Sequence, residues 1–343
     1  MSRQLKIVTP HGRLTTPFFM PDATRGYVKA VDNQDLEKVG VEAMVVNTLH
    51  LYLQPGLKII KKAGGIHQFI NWPKPLLSDS GGYQVFSLIH KNPRAGKVLK
   101  DKVIFQSPID GSKHELTPEK SIQIQFDLGV DMMVCLDDCP PNDYSKKEIA
   151  QSVIKTIAWA KRCRVEYDKQ VKIRRLAEKK KRPLLFGVIQ GGNHRDLRKY
   201  CAEELIKLDF DGYGFGARHH DADKKFLGKI LQYTANLIPE NKIRFALGIG
   251  APQDIVRCYK MGWDIFDCVI PTREARHGKL YLPGKTINIM NAKYKNDFSL
   301  IGDYSKAYLN HLFKNNELTG LRLATLTNLE FYNKLIRKIQ TKI

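Results

Sequence analysis

The sequence predicts an α/β protein, a (β/α)8 TIM barrel with insertions and a mostly helical C-terminal tail. Short apolar runs rich in Val, Ile, Leu and Phe recur along the chain, and each is followed by polar residues and then by a longer stretch with helical periodicity. Eight such runs can be found, which is the number of βα units that closes this barrel. With 343 residues, 43% of them hydrophobic, the chain is long enough to bury such a core.

The predicted strands are residues 17–20, 43–46, 76–77, 132–136, 184–189, 212–215, 245–249 and 265–270. Residues typical of helix N-termini occur between the predicted strands. Thr117, Pro118 and Glu119 supply an N-cap, a proline at the first helical position and an acid in the first turn, so we expect a helix to begin there.

The βα pattern stops after Lys279, and residues 305–343 read as mostly helical. Apolar stripes there can be formed by Tyr308, Leu312, Leu329, Tyr332 and Leu335. We therefore divide the chain into a catalytic barrel, residues 1–290, and a helical C-terminal subdomain, residues 291–343, that packs on it.

The charge balance points to a polyanionic partner. Lys and Arg number 56 against 35 Asp and Glu, a net charge of +21 that internal pairing cannot neutralise. The apolar runs are too short for a membrane span, and no signal-peptide-like stretch follows the N-terminus, so we expect a cytoplasmic protein. The six cysteines are scattered without a C-x-x-C, which argues against disulfides and against a cysteine metal site.

In a barrel, chemistry takes place where the strands end. The residues at these positions are unusually polar: Asn47, Asp79, Asp137, Gln190, Gly216 and Asp267. Three separate carboxylates would thus face one mouth.

An Asp followed by Ser-Gly-Gly, as Asp79 is, more often caps a helix than takes part in catalysis. Three acids at the ends of different strands nevertheless favour a catalytic role for Asp79. Asp267 lies between Phe266 and Cys268, where an unpaired acid costs free energy and gains nothing for the fold. Asp267 is therefore a candidate nucleophile. Two carboxylates across a pocket are what substitution at an anomeric carbon needs, so glycosyl or ribosyl transfer is the reaction class we expect.

Arg273 and Arg276 follow the candidate nucleophile directly. Their planar forks could grip phosphates beside a reacting nucleotide, and the alternative is that they form surface salt bridges. The overall charge favours the phosphate interpretation.

Long motifs resemble one family. They are T-P-F-F-M-P (16–21), N-T-L-H-L (47–51), L-S-D-S-G-G-Y-Q-V-F-S-L (77–88), D-G-S (110–112), L-T-P-E-K-S-I (116–122), F-G-V-I-Q-G-G (186–192), F-D-C-V-I-P-T-R-E-A-R-H-G (266–278) and S-K-A-Y-L-N-H-L (305–312). Over nearly its whole length the chain resembles the tRNA-guanine transglycosylases, also called queuine tRNA-ribosyltransferases. The D-S-G-G-Y-Q-V and D-C-V-x-P-T-R strings are the most specific.

The resemblance implies a base exchange in the tRNA anticodon loop. Asp267 would attack C1′ of a guanosine, guanine would leave, and a 7-deazaguanine, queuine or a precursor, would take its place. Asp79 would be the general acid and base. Matching motifs assign the remaining contacts: Asp137 and Gln190 to the edge of the base, Tyr83 and Leu247 to its faces, backbone at Gly216 and Ala217 to the base, and Asn47 to the vicinity of the ribose.

The chain departs from the family's pattern in three places. Family members hold a structural zinc in the tail through three cysteines and a histidine, but residues 296–304 contain no cysteine and Thr327 stands at the histidine's place, so we expect no zinc and no other cofactor. The segment 216–221 replaces small residues of the base pocket and brings in Arg218, His219 and His220, which leaves the incoming base open. The third departure from the family's pattern lies near the first loop, at Asp22, Arg25 and Leu49.

Two alternatives remain at this point: the same chemistry on DNA, or a non-catalytic RNA-binding subunit. Retention of both Asp79 and Asp267 speaks against the second. The resemblance further implies a homodimer formed through the tail, which loss of the zinc ligands could alter.

Overall fold

The structure, a computed structural model, describes residues 3–140, 144–176, 178, 181–221, 223 and 225–341. Its strands are β1 (Lys6–Thr9), β2 (Gly12–Thr15), β3 (Phe18–Pro21), β4 (Met44–Asn47), β5 (Leu76–Asp79), β6 (Gly96–Val98), β7 (Val103–Gln106), β8 (Lys113–Leu116), β9 (Met132–Val134), β10 (Leu184–Ile189), β11 (Gly212–Phe215), β12 (Ile243–Ala246), β13 (Ile265–Cys268), β14 (Lys279–Leu282), β15 (Lys285–Asn288), β16 (Leu300–Ile301) and β17 (Tyr304–Ser305).

The α-helices are α1 (Asn33–Lys38), α2 (Thr48–Leu51), α3 (Leu57–Lys62), α4 (Ile66–Ile70), α5 (Gly82–Lys91), α6 (Pro118–Leu128), α7 (Lys146–Ile173), α8 (Arg195–Ile206), α9 (Gly228–Leu237), α10 (Pro252–Lys260), α11 (Ile270–Arg276), α12 (Lys306–Lys314) and α13 (Leu318–Gln340). Helix α6 begins where the sequence predicted, because Thr117 caps it by accepting a hydrogen bond from the backbone N–H of Lys120. None of the helices within the described ranges combines the length and the apolar content that a membrane crossing requires.

Eight parallel strands form the barrel, in the order β3-β13-β12-β11-β10-β9-β5-β4. A parallel bridge between Asp22 and Val45 joins β3 to β4, and the N–H of Ala23 donates to the carbonyl of Val45 over 2.7 Å. The predicted (β/α)8 barrel with a helical C-terminal region is therefore confirmed.

Some strand ends differ from the prediction. Strand β12 was expected at 245–249 and begins at Ile243, because the buried Arg244 interrupts the apolar run that marks a strand. Its guanidinium donates to the carbonyl of Ile238 over 2.8 Å and to that of Gly262 over 3.4 Å, while its Nε has no hydrogen-bond partner among the described residues, so the buried side chain is satisfied only in part. Strand β13 ends at Cys268 rather than at residue 270, because Ile270 already begins α11.

The β1–β2 hairpin closes the barrel at the end opposite the carboxyl ends of its strands. Ile7 and Leu14 from this hairpin are buried with the apolar side chains of the barrel interior. Asp131, just before β9, fixes the hairpin by accepting hydrogen bonds from the backbone N–H groups of His11 and Leu76, each over 2.8 Å. This end of the barrel is thus built for stability.

The tail packs along the barrel through α13. Asn328 accepts a hydrogen bond from the N–H of Tyr281 and donates to the carbonyls of Pro271 and Lys279. Leu312, Leu329 and Tyr332 are buried as the apolar stripes predicted, and Leu335 is partly buried against the same core as Leu329 and Tyr332. Tyr308 is not, because it lies 43% exposed and stacks on the exposed ring of Tyr304.

Candidate active site

The order of strands around the barrel fixes the order of the polar side chains at its mouth. On one side stand four residues, which we call the acidic arc: Asp267 on β13, Asp22 after β3, Asn47 at the end of β4 and Asp79 at the end of β5. On the other side stand four more, which we call the pocket arc: Asp137 after β9, Gln190 after β10, Gly216 after β11 and Leu247 after β12. The structure thus brings the predicted catalytic and base-binding residues to one rim.

Asp79 is held by two amides. Its Oδ1 accepts from Nδ2 of Asn47 over 2.7 Å, and its Oδ2 accepts from Nε2 of Gln84 over 3.1 Å. Burial raises the pKa of Asp79 to about 7, helped by the negative charges of Asp22 and Asp267, although both amide bonds act in the opposite direction. Near neutral pH this carboxyl can therefore both give and take a proton.

Asp267 is held by backbone. Its Oδ1 accepts from the N–H of Gly248 over 2.8 Å, a residue whose φ of +72° favours glycine. Burial raises the pKa of Asp267 to about 7, and the charge of Asp22 adds to that effect. The helix cap interpretation of Asp79 does not hold in the structure, because the N-terminus of α5 has Gly81 at its cap and no side-chain cap bond.

Asp137 and Gln190 form a buried pair. Nε2 of Gln190 donates to Oδ2 of Asp137 over 2.6 Å, and Oε1 of Gln190 has no hydrogen-bond partner among the described residues. Burial raises the pKa of Asp137 to about 6. A buried carboxylate beside an unused amide acceptor can bind an N–H-rich edge such as that of guanine.

Gly216 allows the pocket to close around that pair. A Cβ at this position would lie 2.4 Å from Nε2 of Gln190, so no larger residue fits. The fully buried Arg198 holds the loop, donating over 2.8 Å to the carbonyl of Gly216, over 2.7 Å to that of Ile189 and over 2.9 Å to that of Gly192.

The remaining predicted pocket residues lie around this pair. Tyr83, in the first turn of α5, is 52% exposed, so its ring is available for a ligand to stack on. Leu247 is partly buried, and Ala217 adopts a φ of +88°. Arg218 is exposed.

Arg273 and Arg276 lie on α11 and line a cavity of about 470 Å³ beside the acidic arc. Arg25 and Lys29 line the same cavity. None of these four cations forms an ion pair with any residue of the described ranges, and Arg276 donates instead to the carbonyl of Thr272 over 2.9 Å. The salt-bridge interpretation of Arg273 and Arg276 is thus not met within those ranges.

Sequence reasoning missed two residues of this site. Arg198 sits on the amphipathic helix α8, where an arginine looks like a surface residue, and no sequence signal marks it as buried. Asp22 was noticed only as a departure in the first loop, although its place directly after a predicted strand was the same signal that identified Asp79.

The tail residues do not fit the zinc ion that the resemblance implies. At the place of the cysteines, Nζ of Lys306 donates to Oδ2 of Asp297 over 2.9 Å and also to Ser299. Oγ1 of Thr327 donates to the carbonyl of Leu323 within its own helix. An ammonium group among hydroxyl and carboxylate oxygens is no zinc donor set, because structural zinc takes thiolate and imidazole ligands.

Comparison with known proteins agrees with the geometry. The sequence profile of the family described as queuine tRNA-ribosyltransferase matches residues 2–343. A queuine tRNA-ribosyltransferase of Halothermothrix orenii is 41% identical over 98% of this chain and 89% of its own length. Those of Caldanaerobacter subterraneus and Staphylococcus haemolyticus are 42% and 41% identical, over 98% of this chain and 88% and 87% of theirs. The chain therefore belongs to the queuine tRNA-ribosyltransferase family of pentosyltransferases.

Proposed function

We propose that this enzyme replaces guanine in the anticodon loop of a tRNA by a 7-deazaguanine, queuine or a precursor, through a covalent aspartyl-ribosyl intermediate. The observation that carries the proposal is the pair of carboxyls on the acidic arc, Asp267 and Asp79, both with a pKa near 7, facing the guanine-compatible pair on the pocket arc. Family membership supports tRNA and guanine as the substrates.

The two carboxyls act in different protonation states, Asp267 as a carboxylate and Asp79 as a carboxylic acid. Asp267 attacks as a carboxylate, so a C1′–O bond forms while the C1′–N9 bond breaks, and Asp79 passes its proton to the departing guanine. The incoming base then loses its N9 proton to Asp79, attacks C1′ and displaces Asp267. Two inversions leave the configuration at C1′ unchanged.

The other residues of the rim orient the reactants. Asn47 keeps the Asp79 carboxyl in place through the 2.7 Å bond and lies on the ribose side of the rim. Asp137 and Gln190 bind the edge of the base, Tyr83 and Leu247 cover its faces, and the backbone at Gly216 and Ala217 completes the pocket.

The positive charge of the chain contributes to binding of the tRNA. Arg273 and Arg276 on α11 bind phosphates next to the reacting nucleotide, and the +21 net charge attracts the polyanion from a distance. We also propose that two copies form a homodimer through the tail, where exposed apolar side chains cluster.

Asp267→Asn tests the chemistry. The variant keeps the shape of the side chain and lacks the attacking oxygen anion, so we expect an unchanged Kd for an anticodon stem-loop RNA and loss of labelled-guanine exchange. The covalent RNA–protein band on a denaturing gel should disappear with it. Asp101→Asn, an exposed acid between β6 and β7, is the matched control and should exchange like the parent. Exchange near the parental rate in Asp267→Asn would refute the assignment.

A further inference from the structure

The cavity beside the acidic arc contains one acid among its cations. Asp22 lies partly buried in it, and Arg25, Lys29, Arg273 and Arg276 line the same space of about 470 Å³. A cationic cavity alone would suit any phosphate. A carboxylate inside it repels phosphate, so a ligand that also offers a hydrogen-bond donor fits the cavity better than a phosphate alone.

Asp22 is held rigidly. Its Oδ1 accepts from the backbone N–H of Thr24 over 3.1 Å, and the Thr24 hydroxyl lies 2.7 Å from Oδ1 and 2.6 Å from Oδ2, so that it can donate to either oxygen. The backbone that follows Asp22 is tied to β4, since Ala23 donates to the carbonyl of Val45 and Asn47 donates to the carbonyl of Thr24. The carboxyl is therefore preorganised before any substrate arrives.

The position of Asp22 on the rim tells which part of the substrate it faces. It follows β3, which lies between β13 with Asp267 and β4 with Asn47, on the arc opposite the base pocket. Its charge raises the pKa values of both Asp267 and Asp79, so it lies within electrostatic reach of the two groups that act at C1′. The hydroxyl donor nearest to C1′ is the 2′-hydroxyl, one bond away on C2′.

We propose that this cavity binds the ribose and adjoining phosphate of the exchanged nucleotide, that Asp22 accepts a hydrogen bond from its 2′-hydroxyl, and that Arg25 and Lys29 take the phosphate. The inference rests on the proposed base exchange and adds to it a residue that selects RNA over DNA. The 2′-hydroxyl is the group by which a protein distinguishes the two nucleic acids. A hydrogen bond at the neighbouring hydroxyl also strengthens as the sugar gains positive charge in the transition state.

The test compares two hairpins that differ in one atom: an anticodon stem-loop RNA, and the same RNA with a single 2′-deoxy residue at the target guanosine. We expect the parent to exchange the all-ribose hairpin about 10- to 100-fold faster in kcat/KM, the range of a lost hydrogen bond to a charged group. In Asp22→Ala this ratio should fall to within about threefold of one. Each protein is measured at its own pH optimum, because removing Asp22 lowers the pKa values of its neighbours.

Asp22→Asn guards against a folding failure, because its side chain can still bond to Thr24. It should retain part of the preference for the ribose hairpin. Arg25→Ala with Lys29→Ala should weaken binding of both hairpins equally, and Lys199→Ala, an exposed cation on α8, serves as its control.

Three results separate the possibilities. A parent that exchanges both hairpins equally overturns the role of Asp22, and so does a preference that survives in Asp22→Ala. If the parent exchanges neither hairpin nor full-length tRNA, the proposed function itself fails, which is a different outcome.

Discussion

Asp79 and Asp267 are held where water solvates a carboxylate poorly, and this links the chemistry to folding. Burial raises both pKa values from 3.8 to about 7. Because the folded state binds these protons more tightly than the unfolded chain, their destabilising effect is absent below about pH 4, grows between the two pKa values and is complete above pH 7. The catalytic acids therefore cost stability at neutral pH.

The variant Asp79→Asn should change both the rate of guanine exchange and the free energy of unfolding. Guanine exchange should fall by about a hundredfold or more, as removal of a general acid predicts. At pH 8 the free energy of unfolding should rise by about 1 to 2 kcal/mol. This gain is smaller than the pKa shift of Asp79 alone implies. The Asn side chain has one acceptor oxygen and can accept from only one of the two amides that bond Asp79. At pH 4 the two proteins should be equally stable.

Denaturant titrations at the two pH values, with Asp101→Asn as control, measure this difference. A stability change that is the same at pH 4 and pH 8 would contradict the burial argument, and unchanged exchange would remove Asp79 from the mechanism.

Single residues show where sequence reasoning succeeds and where it stops. Asp267 was visible because an acid between Phe266 and Cys268 in an apolar strand has no structural use. Arg198 was invisible because its burial depends on three carbonyls that only the folded loops bring together. Tertiary partners, not local pattern, decide such positions.

At the scale of elements, the eight barrel strands were predictable because each contains an apolar run, although Arg244 shortens that run in β12. The antiparallel sheet β6–β8, inserted between α5 and α6, was not predicted. Its middle strand alternates buried and exposed residues over only four positions, which is too short to stand out from a loop.

The tail offers a prediction about metal. Its core is made of buried apolar side chains, among them Leu309, Leu312 and Phe313, and the Lys306–Asp297 ion pair lies where thiolates would be needed. We expect the purified protein to contain no stoichiometric zinc by elemental analysis, and its Tm to stay unchanged in a chelator. A substoichiometric signal is expected only from contamination. Stoichiometric zinc, or a Tm lowered by several degrees, would contradict this, because structural zinc adds directly to folding stability.

At the scale of the whole molecule, the net charge of +21 predicts how RNA binding responds to salt. Each phosphate contact releases counterions, so log Kd should change linearly with log salt concentration. Replacing Arg273 and Arg276 by Ala should reduce the slope by about 1 to 2. Lys199→Ala on α8 with Lys207→Ala, the residue directly after α8, is the matched control and should leave the slope unchanged. An unaltered slope in the arginine variant would place the phosphates elsewhere on the surface.

The proposed homodimer rests on an exposed apolar cluster in the tail. Phe298 is 76% exposed and Leu300 67%, and the stacked rings of Tyr304 and Tyr308 lie exposed as well. Leu300 and Tyr304 also line a groove of about 920 Å³ that runs between the β14–β15 hairpin and α13. Exposure of an apolar patch of this kind to water is unfavourable, and a second copy of the chain would cover it.

Light scattering coupled to size exclusion measures the outcome. We expect a particle of twice the chain mass of 39.2 kDa for the parent and a particle of 39.2 kDa for Leu300→Asp, because a buried unpaired carboxylate would be too costly at the interface. Val165→Asp, an equally exposed apolar position on α7, is the matched control and should leave the mass unchanged. A monomeric parent at micromolar concentration would refute the dimer, and so would a Leu300→Asp variant that keeps the parental mass, since a charge at the centre of this patch is incompatible with its burial.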